Sequence, residues 1–373
     1  MKKNPNGFEV IQLFEQFSPK SYAVEGDKIG LQIGSLNKQI HQVMITLDVT
    51  EAVIDEAIEK KVDLIIAHHP PIFRPIKKLT TDSTSGRIFE KCIKHDIAVY
   101  AAHTNLDIAN GGVNDLLAAA LELTNLDVLV PTYEDKLKKL VVFVPSSHEK
   151  AVREALGAAG AGHIGNYSHC SFSTSGEGSF LPLEEADPFI GKTGQFELVK
   201  ETRIETIFPE SLQKKIINAM IKAHPYEEIA YDIYRLEQQG ASLGLGRIGK
   251  LKDELTLQEF AEHVKKSLNV ERVRMVGDPS SKVKKVAVLG GDGNKYIQQA
   301  KYKGADVYVT GDLYFHVAHD ALMLDLNVID PGHHVEKVMI KGVSAILGDM
   351  CKERNFDVSV FGSTVDTNPF TFV

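Results

Sequence analysis

The sequence predicts an α/β protein made of two related α/β halves, with a smaller α+β module inserted between them. Three observations point there. Strand-like and helix-like stretches alternate through the first and last thirds of the chain. Those two thirds align without a gap over a short βαβ unit, and the middle third breaks the alternation. A length of 373 residues fits the same picture, since domains run to ~100–200 residues each.

The N-terminal Phe8, Ile11, Leu13, Phe14 and Phe17 read as one face of a short helix. Val43–Leu47 is then a buried strand. Thr50 caps a helix carrying Val53, Ile54, Ala57 and Ile58 on one side. Asp63–Ala67 is the next strand, stopped at His68-His69-Pro70-Pro71 because proline cannot donate to a ladder. A helix over Gly86–Lys94 leads to a third strand, Ile97–Ala101, which ends at His103-Thr-Asn-Leu-Asp107, and a helix over Asn114–Leu121 follows. The last third repeats this order. A strand at Val286–Leu289 runs into Gly290-Gly-Asp-Gly293, a helix covers Tyr296–Lys303, and a strand at Asp306–Val309 ends at Thr310-Gly-Asp312. Val43 to Asp63 spans twenty positions, as does Val286 to Asp306. A later strand at Asn327–Ile329 reaches Pro331-Gly-His333-His334. Helices between the strands imply parallel sheets covered on both faces. The rival explanation is chance similarity between two generic βαβ units.

The middle reads β, α, β, β, α, β: strands near Lys139–Val144, His169–Thr174, Gly194–Ile207 and Glu228–Leu236, with helices over His148–Ala159 and Ser211–Ala223. That order is the split-βαβ, ferredoxin-like module. The expected division is 1–131, 132–240 and 241–373, with the ends of the insert close together.

Composition excludes several classes. The net charge of −8 and the lack of a basic stripe weigh against nucleic acid and anionic membranes. No apolar run approaches the ~18 residues of a membrane span, and the N-terminus lacks a signal-peptide pattern. Three cysteines without a CxxC pair argue against a disulfide scaffold or a thiolate zinc knuckle, so the expected setting is reducing and cytoplasmic. Gly244-Leu-Gly246-Arg-Ile-Gly249 satisfies GxGxxG by spacing. It lacks the strand before and the helix directly after that a dinucleotide site needs.

What stands out is histidine, fourteen in all and two of them as adjacent pairs. Open α/β sheets place ligands beyond the carboxyl ends of their strands. His68, His69, His103, Asp107, Asp312, His316, His319, His333, His334 and Glu336 all fall there. A single histidine is ordinarily a core or surface residue with a satisfied hydrogen bond. Clustering at several strand ends points instead to a metal site. Imidazole and carboxylate without thiolate suit Zn, Mn, Fe, Co or Ni. His68 and His69 can diverge to two metals, and His333 and Glu336 share a face if a helix starts at Gly332. Five ligands, His68, His69, Asp107, His333 and Glu336, with one bridging carboxylate give three protein bonds per ion and an open position on each. Which carboxylate bridges is left open. His103 and His316 are the expected proton carriers. His319 is as well explained by packing, and His41, His95, His148, His163 and His263 by solvated surface.

Together and in order, Ile66-Ala-His-His-Pro-Pro-Ile-Phe73, His103–Asp107, Thr310-Gly-Asp312 with His316, Gly332-His-His-Val-Glu336 and the terminal Thr367-Asn-Pro-Phe370 resemble the NIF-three-like family, also labelled GTP cyclohydrolase I type II homologues. The resemblance implies a dinuclear site on the same five residues, with two divalent ions per subunit and zinc foremost. It also implies a toroidal homohexamer and, for members with a middle insertion, a PII-like module there. The family's biochemical role is poorly settled, so two functions stand. One is a metal-dependent hydrolase of GTP cyclohydrolase type, with hydroxide attacking a nucleotide or phosphoester. The other is a non-enzymatic metal-binding regulator or scaffold whose insert senses a ligand.

Overall fold

The computed structural model describes residues 2–373. It divides into two compact units: the chain up to Tyr133 together with Leu243–Val373, and Glu134–Ser242.

The larger unit holds two sheets. The first runs Gly30–Ile33, Ala98–Ala101, Leu64–Ala67, Gln42–Thr46, Ser359–Gly362. The second runs Arg274–Val276, Asn327–Asp330, Val307–Gly311, Lys282–Asp292, Ala241–Thr256, Thr124–Asp135. In both, three parallel strands lie in reverse chain order beside an antiparallel edge strand that precedes them in sequence. The likeness reaches single hydrogen bonds. Asp63 Oδ2 accepts the N–H groups of His41 and Gln42 at 2.7 and 2.9 Å. Asp306 Oδ2 accepts those of Lys284 and Lys285 at 2.9 and 2.7 Å. In each half this aspartate closes the helix-to-strand turn and fixes where the next strand begins, so the strand ends fall at matching places.

Both sheets contribute to one apolar core, Val43, Ile45, Leu64 and Tyr100 from the first and Val286, Val288, Val307 and Ile329 from the second. Each such side chain contributes about 1.5–3 kcal/mol on burial. Short strands of continuous apolar residues are therefore held rigid on both faces, and their ends are fixed in position.

The structure corrects several local expectations. Helix Gly7–Phe17 buries Val10, Ile11, Leu13 and Phe14, but Phe8 is 58% exposed. Asn6 caps that helix through a capping box with Glu9, which rotates Phe8 away from the core. Gly244–Gly249 lies inside the strand Ala241–Thr256, so it is ladder and not a phosphate loop. Strands Gly30–Ile33, Thr124–Asp135, Ala241–Thr256, Arg274–Val276 and Ser359–Gly362 were not expected from the sequence; Thr124–Asp135 is largely exposed, although it carries Leu126, Val128, Leu129 and Val130.

The smaller unit has strands Leu137–Pro145, Phe172–Phe180, Glu197–Pro209 and Tyr231–Arg235, and helices Glu149–Ala159 and Gln213–Ala223. Its sheet order is Phe172–Phe180, Glu197–Pro209, Leu137–Pro145, Tyr231–Arg235, antiparallel throughout. This is split-βαβ topology. Leu140, Val142, Val152, Leu156, Ile204, Phe208, Ile216 and Met220 form its core. Among the described residues, no helix is long and apolar enough to cross a membrane.

Candidate metal centre

The site forms where strands stop. Leu64–Ala67 ends at His68, whose N–H still donates to Thr46 O at 3.1 Å, while the His69 N–H donates to Leu47 O at 2.9 Å. Pro70 then ends the ladder. The ring of His68 is fully buried, and its Nδ1–H donates to Ala102 O at 3.0 Å, which leaves Nε2 facing the cluster. His69 Nδ1–H donates to Asp48 Oδ1 at 2.7 Å, and its Nε2 lies 3.1 Å from Glu336 Oε2. His103 Nδ1–H donates to Asp27 Oδ1 at 2.8 Å. His333 Nδ1–H donates to Asp312 Oδ2 at 2.7 Å, with its Nε2 3.2 Å from Glu336 Oε2. Each tautomer follows from the acceptor on Nδ1. Four imidazoles thus have one nitrogen tied back to an oxygen, the arrangement that orients histidine ligands of metals.

Two carboxylates complete the cluster. Glu336 sits in the 3-10 turn His333–Lys337, which places residues three apart on one side. Its Oε2 lies 3.1 to 3.7 Å from Nε2 of His68, His69 and His333. Gly290 and Gly291 make the room: a Cβ on either would stand within 2.9 Å of Glu336 Oε1. Asp107, on the short helix Thr104–Ile108, lies 3.6 Å from His68 Nε2.

Two groupings could hold an ion: His68 with His103 and Asp107, and His68 with His69 and Glu336. The donor set passes a direct test. His68 Nε2 and Asp107 Oδ1 are buried without a hydrogen-bond partner among the described residues, an arrangement that is costly unless a cation lies between them. Separations of 3.1 to 3.7 Å are also close to the ~3.4 Å between donors on a tetrahedral ion with ~2.1 Å bonds.

The electrostatics say the same. Burial alone would depress His69, but the Asp48 and Glu336 carboxylates outweigh it and hold the ring at about 10. Glu336 holds His333 at about 9, against the opposing effect of burial. Burial works to raise Glu336, yet the surrounding imidazoles, His68 first, keep it well below the carboxylate range. Burial pushes Asp107 up to about 6, with His68 opposing. Without an ion, the carboxylates draw protons onto His69 and His333; a bound cation would take the place of those protons and free the two Nε2 atoms as donors.

All five expected ligands therefore lie in one cluster, joined by His103. His316 does not enter it: the side chain is exposed, with its ring edge-on to Phe315. His319 is exposed against the same phenyl ring. His334 faces the tail, 3.3 Å from Asp366 Oδ1. Sequence reasoning missed Asp48 and Asp27. Asp48 follows the first parallel strand and was findable by the strand-end rule, whereas Asp27 lies in a loop without a signal. A cavity of about 1030 Å³ opens beside His69 and His333, walled on one side by the tail residues 366–372.

A mixed α/β frame thus gathers imidazoles and carboxylates at the ends of its strands into a candidate metal site. The family is fixed by comparison: residues 5–369 match the model of Duf34/NIF3 (NGG1p interacting factor 3), and the chain belongs to that family. It is 69% identical over 373 residues to a Bacillus subtilis protein named GTP cyclohydrolase 1 type 2 homolog, covering all of both chains. A Staphylococcus aureus relative of the same name is 36% identical, over 98% of this chain and 99% of that one. The crystal structure of a Bacillus cereus protein related to NIF3 superposes with a TM-score of 0.94 at 61% identity, covering both chains fully.

Proposed function

We propose that the protein is a dinuclear metal-binding protein that acts as a metal-dependent hydrolase on a nucleotide or phosphoester. The observation that carries this is the convergence of three Nε2 atoms on Glu336 Oε2, beside the partnerless His68 Nε2 and Asp107 Oδ1. His68, His69, Asp107, His333 and Glu336 would hold the two divalent ions, with His68 and Asp107 on one side of the cluster and His69 and His333 on the other. Zinc is the first expectation, with Mn, Fe, Co or Ni as alternatives. Two such ions supply Lewis acidity and a more acidic water near neutral pH. The chain's own residues do the rest. Asp48 and Asp312 keep the Nε2 lone pairs of His69 and His333 aimed inward. Asp27 holds His103 at the edge of the cluster, placed to accept and return a proton through Nε2. The adjoining cavity admits a molecule of nucleotide size. The shared name of the relatives supports a purine nucleotide as the first substrate to try. The reading includes a cytoplasmic, toroidal homohexamer and an inserted PII-like module at 132–240.

Elemental analysis of untagged protein, followed by a screen of GTP, other nucleotides and phosphoesters with the metal found, tests this. Two ions per chain and turnover abolished by chelation are expected. Two ions without turnover would leave the non-enzymatic regulator, and absence of bound divalent metal would overturn the site.

A further inference from the structure

The unit Glu134–Ser242 contains a cavity of its own, about 680 Å³, which the metal chemistry does not use. Its walls are mostly apolar. Phe180 and Phe189 meet Tyr226 with ring centroids 6.0 and 6.4 Å apart, at interplanar angles of 65° and 52°. Tilted rings around a void present both faces and edges to whatever enters.

One ionisable group is buried in that wall. Glu201, on strand Glu197–Pro209, is 9% exposed. Its Oε1 accepts the Tyr226 hydroxyl at 3.0 Å, and among the described residues no cation pairs with it. The neighbouring strand makes room for its other oxygen: a Cβ on Gly178 would stand 2.2 Å from Oε2. Nearby cationic groups are engaged elsewhere. Arg203 pairs with Glu205 at 2.9 Å. His224 donates from Nε2 to Phe143 O and accepts the Tyr226 N–H at Nδ1, so it is a neutral ring, and burial lowers its pKa further. At the rim, Glu177 and Glu228 add negative charge without an ion pair among the described residues.

A buried carboxylate beside aromatic faces, with no cation paired to it and the Arg203 of the same wall held by Glu205, is a receptor for positive charge. We propose that this cavity binds a small organic cation, its ammonium group seated on Glu201 and its apolar body against Phe180, Phe189 and Tyr226. The volume lies within the ~300–1,000 Å³ range of small-molecule sites. The ligand class is an aralkyl or alkyl amine and not an anion, because an anionic group would meet Glu201 and the acidic rim.

The test uses the full-length protein and three probes of one shape: phenethylamine, 2-phenylethanol and phenylacetate, followed by ligand-observed NMR and calorimetry. The amine should saturate one site per chain, bind at least about tenfold more tightly than the alcohol, and leave phenylacetate unbound. Glu201→Gln should bring the amine down to the alcohol's affinity while leaving the alcohol unchanged. Phe189→Ala, at a half-exposed position, should weaken both. Equal binding of amine and alcohol by the unaltered protein overturns the proposal whether or not the variants fold. So does undiminished amine binding in folded Glu201→Gln, as expected if the aromatic rings alone hold the ligand.

Discussion

The Thr367 hydroxyl donates to Asp48 Oδ2 at 2.5 Å, and the other oxygen of that carboxylate accepts from His69 Nδ1 at 2.7 Å. A residue six positions before Val373 thereby sets the aim of an imidazole at the cluster. Partners behind a metal ligand are worth about 10–100-fold in affinity. Thr367→Val keeps the shape and removes the donor. It should weaken retention of the ion proposed for His69 and His333 about tenfold, with the thermal midpoint little changed. Competitive chelator titration reads this; an unaltered affinity would show that Asp48 needs no support from the tail.

The tail is itself tied down by Glu56, on helix Glu51–Glu59. Its carboxylate accepts the Thr364 N–H at 3.0 Å and the Thr364 hydroxyl at 2.6 Å, bonds Ser363, and pairs with Lys60 at 2.8 Å. Burial works to raise its pKa, but Lys60 and the two hydroxyls prevail and hold it at about 2, against an ordinary 4.5. The folded form thus favours the ionised group. That stabilisation, about 3 kcal/mol, is fully present above about pH 4.5 and is lost as pH falls towards 2. Glu56→Gln should be less stable by roughly this amount at pH 7, with the deficit shrinking below about pH 4. Denaturant titrations across that range measure it. A deficit independent of pH would mean that packing, and not charge, accounts for it.

The two carboxylates at the centre differ in reach. Glu336 touches three imidazoles, whereas Asp107 touches His68. Glu336→Gln should empty the site, and Asp107→Asn should leave about one ion per chain on the two-metal reading. Chelation of the unaltered protein should lower its thermal midpoint, since an ion at a hundred times its Kd adds about 2.7 kcal/mol. The same treatment should do little to Glu336→Gln. Metal analysis and thermal melts on the same samples separate these outcomes.

Six of the parallel strands were legible as short apolar runs, most of them closed by Gly, Pro or His, and the candidate ligands sit at those closures; the parallel strand Ser359–Gly362 was not read from the sequence. What escaped had physical reasons. Strand Thr124–Asp135 buries only Leu129 fully, and its apolar run Leu126–Val130 is cut by Pro131, which reads as an end and not as the middle of a strand. Asp27 reaches His103 across 76 positions from a loop, which no local spacing reveals. His316 has the right residue type at the right strand end, but helix Phe315–Met323 turns its ring to solvent. His316→Ala should accordingly leave metal content unchanged. His103→Ala should likewise leave metal content near two ions per chain and lower turnover, as a proton carrier and not a ligand would; loss of one ion would show that His103 is a ligand.

Gly291 gives the sharpest steric test. Its φ of +64° is a conformation in which a side chain is strained, and a Cβ there would stand 2.9 Å from Glu336 Oε1 and 3.3 Å from His333 Nε2. Glu336 is buried and gripped by three imidazoles, so it cannot move aside cheaply. Gly291→Ala should therefore cost about 1–3 kcal/mol of stability from backbone strain alone, and displace Glu336 enough to reduce metal occupancy. Gly26 has a φ of +84° with open space around it, so Gly26→Ala carries the same kind of strain without the collision. Both variants should lose stability, but only Gly291→Ala should lose metal. Equal metal content in the two would mean that the glycine serves the turn and not the carboxylate.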